Sequence, residues 1–188
     1  MPGELASLHA LRGGLGAAGF LAAVVAAVAL TVLLVGLLRS RGGRAGWNAA
    51  RVLVVVLVAG SLAGIADLTL FGREGLGAQQ RLALDPLVGA RGWAGIAWRP
   101  VIDNVTLFVP LGASLALLLC RRSWSVPLVL ALLVSVAVET FQWAMPTGRI
   151  ANSADVIANT VGAAVGVSIA RLLGGCRMPR RIVAARRR

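Results

Sequence analysis

Histidine is nearly absent from this 188-residue chain: His9, in the N-terminal tail, is the only one. A histidine-based metal cluster or catalytic triad therefore has no raw material. Cysteine is almost as scarce, with Cys120 and Cys176 alone, and no CxxC, HExxH or P-loop pattern occurs. No disulfide framework is implied, and both thiols fall on the side that charge assigns to the cytoplasm, where they stay reduced. Lysine is missing altogether, since all 19 basic residues are arginine, against seven acids. Charged residues make up only 14% of the chain, whereas 58% is hydrophobic and 23 residues are glycine. That lies far above the roughly 45–50% apolar content of soluble domains. It excludes an ordinary water-soluble globular domain, and equally a disordered chain, which needs low hydrophobicity. Strands of alternating polarity, about ten residues each, are also missing, which argues against a β-barrel.

What the chain does have is long apolar runs. Gly13–Leu38 carries no charge, Val52–Phe71 only Asp67, and Val126–Met145 only Glu139. Val105–Cys120 is charge-free and reaches spanning length with Val101–Asn104, while Ala154–Leu173 holds Asp155 near its start and Arg171 near its end. Eighteen or more such residues read as a membrane-spanning helix, and about twenty cover the roughly 30 Å of hydrocarbon. The first run is too long for the h-region of a signal peptide, and its arginines follow instead of preceding it. It reads as an uncleaved helix. The expected fold is an all-α integral membrane protein, a compact bundle of about five transmembrane helices.

A net charge of +12 and a pI near 12.0 invite a nucleic-acid reading. The arginines, however, stand between apolar runs or in the tail 174–188, where arginine marks topology more than recognition. With five spans, thirteen arginines fall on one side, including Arg39, Arg41, Arg44 and Arg51, and six on the other. All seven acids fall on or toward the second side. Arginine excess marks the cytoplasm, so the N-terminus is expected outside and the C-terminus in the cytoplasm. Trp47, Trp93, Trp98, Trp124 and Trp143 lie near proposed boundaries, as indole rings prefer. Gly60-x3-Gly64 and Gly162-x3-Gly166 have the spacing of close helix packing, here read as packing within the monomer.

Polar residues in the spans need a reason, because a charge at mid-membrane costs roughly 2.5–3.5 kcal/mol on insertion scales. Ser135, Glu139 and Gln142 share one helix face, and Asp155, Asn159, Gly162 and Gly166 share another. Asp103 and Asn104 open the third span, and Asp67 lies near the end of the second. Topology places all of these polar groups at similar depth, toward the outer leaflet. Arg149, between spans four and five, is placed to reach Glu139 or Asp155, or to offer its donors to a phosphate. Taken alone, Asp103 and Asp155 read as helix caps, whereas Glu139 reads as part of a functional network. Pro110 removes one backbone hydrogen bond in mid-span and is expected to bend that helix. Pro86–Trp98 is too short to span and reads as an interfacial segment or lid over the polar cluster.

The stretch Asn104-Val-Thr-Leu-Phe108-Val-Pro110-Leu-Gly112, then Ser135-x3-Glu139-x2-Gln142, then Arg149-x5-Asp155-x3-Asn159-x2-Gly162-x3-Gly166 resembles the VanZ-like family. The resemblance covers roughly residues 99–173. The family often has further acids between the arginine and the matched aspartate, where this chain has Asn152 and Ala154. The resulting division is residues 1–98 with two helices and an extracytoplasmic loop, a VanZ-like three-helix core over 99–173, and a basic cytoplasmic tail over 174–188. The resemblance implies a multi-pass bacterial inner-membrane protein and a possible contribution to teicoplanin resistance. Lysine-free, Ala/Gly/Arg-rich composition also suits a high-GC bacterial genome.

The expected ligand set is Asn104, Glu139, Gln142, Arg149, Asp155 and Asn159. Arg149, Gln142 and Asn159 would hold the head group of an envelope lipid or lipid-linked cell-wall component, and Glu139 and Asp155 would set the charge. No metal, cofactor or nucleic acid is expected. The alternatives are a membrane enzyme acting on a lipid-linked phosphate, with Glu139 or Asp155 as general base, and a small proton-coupled transporter. Transporters place sites at the midplane, commonly within internal repeats, and no repeat is visible here.

Overall fold

The computed structural model describes residues 2–41, 43–70, 81–84, 91–92, 95–96, 98–119, 123–144 and 150–173. Among them are five long helices: α1 (Pro2–Arg41), α2 (Gly43–Leu70), α3 (Trp98–Leu118), α4 (Ser125–Ala144) and α5 (Ser153–Leu172). Each contains a stretch of 20 to 25 residues long and apolar enough to cross a membrane. All-α architecture with five spans is what the apolar runs predict.

The distribution of polarity is inverted relative to a soluble bundle. On α4 the exposed side chains include Val129, Leu130, Leu132, Leu133, Val136 and Phe141, while Ser135, Glu139 and Gln142 are buried. In water, that arrangement would expose a broad apolar face; in lipid, the apolar face is solvated and the polar groups find partners inside.

α3 occupies the centre. Leu111 through Leu117 are buried without a break, as expected of a helix surrounded on all sides, and it packs against each of the other four helices. Its most extensive partner is α5. Glycine makes that closeness possible: a Cβ on Gly162 or Gly166 would collide with the backbone carbonyl of Val105 or Val109, and one on Gly112 with that of Ala163. The Gly162/Gly166 pair therefore packs within the monomer, as its spacing predicts. Gly60 and Gly64 have open space where a Cβ would stand, so the same spacing on α2 serves no packing among the described residues.

Two apolar clusters fill the bundle. One joins Val32 and Val35 of α1, Ala50 and Val54 of α2, Ala113, Ala116 and Leu117 of α3, and Val167 and Ala170 of α5. The other joins Ile65, Phe108, Leu111, Leu115, Ala131, Val138 and Ala163, from α2 through α5. Pro110 sits inside α3 without ending it, and its missing N–H deprives the Thr106 carbonyl of its helical donor.

One sequence expectation needs correcting at the α1–α2 junction. Residues 39–51 are not a loop: α1 runs to Arg41 and α2 begins at Gly43. Gly43 adopts a φ of +52°, which L side chains rarely take, and this reverses the chain. Arg39 is consequently not a loop charge but a buried one. Its Nη2 donates to the Leu117 carbonyl at 3.0 Å, at the C-terminal end of α3 where cations are favoured, and its guanidinium lies 5.1 Å from the Trp47 ring centroid. Arg171 similarly lies 6.0 Å from the Trp124 ring. Trp98, Trp124 and Trp143 are exposed at helix ends, as interfacial indoles should be.

Four short strands were not foreseen: β1 (Arg81–Ala83), β2 (Arg91–Gly92), β3 (Gly95–Ile96) and β4 (Ile150–Asn152). β1 and β4 pair in parallel, with Arg81 opposite Ile150, Leu82 opposite Ala151 and Ala83 opposite Asn152. β2 and β3 pair antiparallel. Three-residue strands are too short to show a period in the sequence. Within the 86–98 segment read as interfacial, residues 86–90, 93–94 and 97 lie outside the described residues.

Candidate functional site: a buried polar seam between α4 and α5

α4 turns one stripe of its surface inward, formed by Pro127, Ala131, Ser135, Val138, Glu139 and Gln142. The stripe is apolar toward the helix start and polar toward its end. Ser135, Gln142 and Glu139 are 0%, 4% and 9% exposed, against 2% for Asn159 on the facing helix. Polar groups so withdrawn from solvent must be met by partners, and two of the contacts come from the beginning of α5.

The first is at the helix entrance. Asn152 is the N-cap of α5, extended in backbone (φ −135°, ψ 126°), and its side-chain Oδ1 accepts from the Ala154 N–H at 3.0 Å. Its own backbone N–H donates to Glu139 Oε2 at 2.8 Å. In a capping box that N–H would be taken by a carboxylate at the third helical position, which here is Asp155. Glu139 takes it instead, reaching across from α4. The contact places a carboxylate beside the positive end of the α5 dipole, which favours negative charge there. It also ties α4, β4 and α5 together at one point.

The second contact lies deeper. Asn159 Nδ2 donates to Ser135 Oγ at 2.9 Å. Asn159 Oδ1 is buried and has no hydrogen-bond partner among the described residues. A buried acceptor left unmet costs about 1–3 kcal/mol. On the helical repeat, Asp155 lies one turn above Asn159, and Glu139 one turn above Ser135, so two carboxylates sit over the Ser135–Asn159 pair. Asp155 is half-buried.

β1 lies over the entrance through its pairing with β4, and the Ser153 hydroxyl donates to the Leu84 carbonyl at 2.7 Å. Residues 81–84 are thereby strapped to the start of α5.

Of the six residues expected to bind ligand, Glu139, Gln142 and Asn159 are buried and Asp155 is half-buried, all at this end of the α4–α5 seam. Asn104 is half-buried on α3, one turn before Phe108, and its side chain makes no hydrogen bond among the described residues. Arg149 lies outside the described residues, as do Cys120 and Cys176.

Two expectations change. Asp103 is not a cap, because α3 begins five residues earlier at Trp98; it is exposed and pairs with Arg99 one turn back at 3.9 Å. Asp155 stands in the first turn of α5, but the cap itself is Asn152. Asp67 is exposed on α2. Asn152 is the residue of the seam that sequence reasoning passed over, noted only as a departure from the family's acids. Its signal was present: an Asn directly before a run of helical period is a preferred N-cap.

The model of the VanZ/LLP1 family matches residues 20–174. That range takes in all but the first part of α1, so it reaches beyond the motif-bearing helices into the first two spans. No curated protein matches the chain, and no solved structure does.

Proposed function

The chain belongs to the VanZ/LLP1 family, and from that premise we propose that it is a bacterial inner-membrane protein whose α4–α5 seam binds, or alters the presentation of, an envelope lipid or lipid-linked cell-wall component. The observation that carries this reading is the burial of Ser135, Glu139 and Gln142 on a helix whose other faces are apolar and exposed. A membrane helix retains such groups where they do work or where they pair. The orientation that arginine excess predicts puts this end outside the cell, where envelope precursors are presented.

In this reading the head group enters at the start of α5, beside the Glu139–Asn152 contact. Arg149 directly precedes β4 in the sequence, and its guanidinium supplies bidentate donors to the lipid phosphate. Gln142 and Asn159 add neutral hydrogen bonds, while Glu139 and Asp155 set the charge and orient Arg149. Asn104 is assigned to the α3 side of the same pocket. Binding of this kind would underlie any contribution to teicoplanin resistance, by changing how the drug's target is displayed.

The test is direct binding. Purified wild type, Glu139→Gln and Arg149→Ala proteins are titrated with a lipid-linked cell-wall precursor and, separately, with phosphatidylglycerol. Tighter binding of the precursor by wild type, lost in both variants, is the expected result. Equal affinity for the two lipids makes the ligand an envelope lipid in general, and equal binding by all three proteins overturns the reading.

A second reading is a membrane enzyme acting on a lipid-linked phosphate. It draws on one observation, that carboxylates from two helices, Glu139 and Asp155, flank the first turn of α5. One of them would serve as general base and Arg149 would stabilise the developing charge. Release of product from the precursor in the same titration separates turnover from binding.

A further inference from the structure

We infer that the Ser135–Asn159 pair is a hydrogen-bond-accepting subsite that receives a donor group, amine or hydroxyl, from the head group of the bound lipid. The inference rests on the lipid-binding reading above and specifies what lies at the bottom of that site. Asn159 is 2% exposed, its Nδ2 is engaged by Ser135 Oγ, and its Oδ1 is buried without a partner among the described residues. Unmet buried acceptors are few in folded proteins and call for a reason. The groups one turn above, Glu139 on α4 and Asp155 on α5, are acceptors as well when ionised. A ligand group settling beside Asn159 Oδ1 therefore meets an amide acceptor, with the two carboxylates on the turn above.

That surround selects chemistry. A phosphate or a carboxylate brought to this depth would face the Asn159 amide oxygen with no proton to give it. A quaternary ammonium has charge but no N–H to offer. A primary ammonium or a hydroxyl is small and brings the donor that this oxygen lacks. The lipid phosphate stays at the entrance in this arrangement, and the head group's terminal donor reaches Asn159.

Four lipids separate the possibilities on the full-length protein in detergent: phosphatidylethanolamine carries a primary ammonium, phosphatidylglycerol carries hydroxyls, phosphatidylcholine carries neither, and a lipid-linked sugar phosphate carries hydroxyls on a larger head group. The readout is retention of each lipid by native mass spectrometry. Donor-bearing heads are expected to bind wild type roughly tenfold better than phosphatidylcholine, as one well-made hydrogen bond to a desolvated acceptor allows. Preference for phosphatidylethanolamine alone identifies the donor as an amine, and preference for the hydroxyl-bearing lipids alone identifies it as a hydroxyl. Asn159→Leu is expected to abolish the preference. If Asn159→Leu does not fold, the wild-type comparison still decides. Binding of phosphatidylcholine equal to that of all three others overturns the subsite. If the lipid-linked precursor nevertheless binds in a Glu139-dependent way, only the subsite has failed; if that binding is also missing, the reading beneath it has failed too.

Discussion

Glu139 accepts a backbone amide across a helix interface, and this divides its substitutions into two kinds. Glutamine keeps an oxygen for the Asn152 N–H but removes the charge, so Glu139→Gln is expected to fold with little loss of stability and to lose lipid binding. Leucine removes the acceptor and leaves the N–H unmet, at about 1–3 kcal/mol. Asn152→Ala should cost about 1 kcal/mol through loss of the N-cap. Thermal unfolding in detergent checks all three: the order of midpoints should be wild type and Gln, then Asn152→Ala and Leu well below. A Leu variant as stable as the Gln variant would sink the role given to this contact. At this scale the sequence was informative about residue types but not about partners. The i, i+4 spacing of Ser135 and Glu139 put both on one face, yet the partner of Glu139 is a main-chain group thirteen residues on, which no side-chain pattern encodes. Asp103 shows the converse. Read as a helix start, it lies inside a helix that begins at Trp98, where Pro100 in the first turn was the boundary signal to follow.

Two helices carry the same Gly-x3-Gly spacing, and they should respond to alanine with opposite sign. Alanine gains about 0.8–1 kcal/mol over glycine from helix propensity alone. On α2, Gly60→Ala meets nothing, so it is expected to be neutral or stabilising. On α5, Gly162→Ala and Gly166→Ala drive a methyl into the α3 backbone, and overpacking of about 1–3 kcal/mol outweighs the propensity gain. The recovery of monodisperse protein after heating in detergent gives the comparison, and equal recovery would show that α3 and α5 do not approach as closely as described. From sequence the two motifs were indistinguishable. What separates them is location: α5 packs against the central helix and α2 turns those glycines outward. The spans themselves were legible because charge-free apolar runs of this length have few other uses. The α1–α2 turn was not, because α1 ends at Arg41 and α2 begins at Gly43, with Gly43 at positive φ, where composition suggested a loop.

For the whole molecule, orientation and phenotype are the quantities to measure. Leu84 beside β1 and Ser123 before α4 are both exposed and stand at opposite ends of the bundle. A membrane-impermeant maleimide applied to intact cells should label Leu84→Cys and not Ser123→Cys, with Cys120 and Cys176 silent on the inside. The reverse pattern would place the polar seam toward the cytoplasm and remove it from envelope precursors. In a susceptible Gram-positive host, wild type at equal membrane level to its variants should raise the inhibitory concentration of teicoplanin more than that of vancomycin. Glu139→Gln and Arg149→Ala should not. Absence of protection at every expression level would detach the chain from glycopeptide resistance while leaving lipid binding to be judged by titration.

The pairing of β1 with β4 also orders events in time. The segment at residues 81–83 leaves the ribosome long before its partner at 150–152, and the carboxylate of Glu139 likewise precedes the amide it binds. Until the last span is threaded into the bilayer, the strap has no edge to lie against and the fourth helix carries its glutamate without that amide. Biogenesis of this protein therefore closes on its final helix, and a nascent chain arrested before residue 150 should be a substrate for quality-control proteolysis even though four of its five spans are already in the membrane.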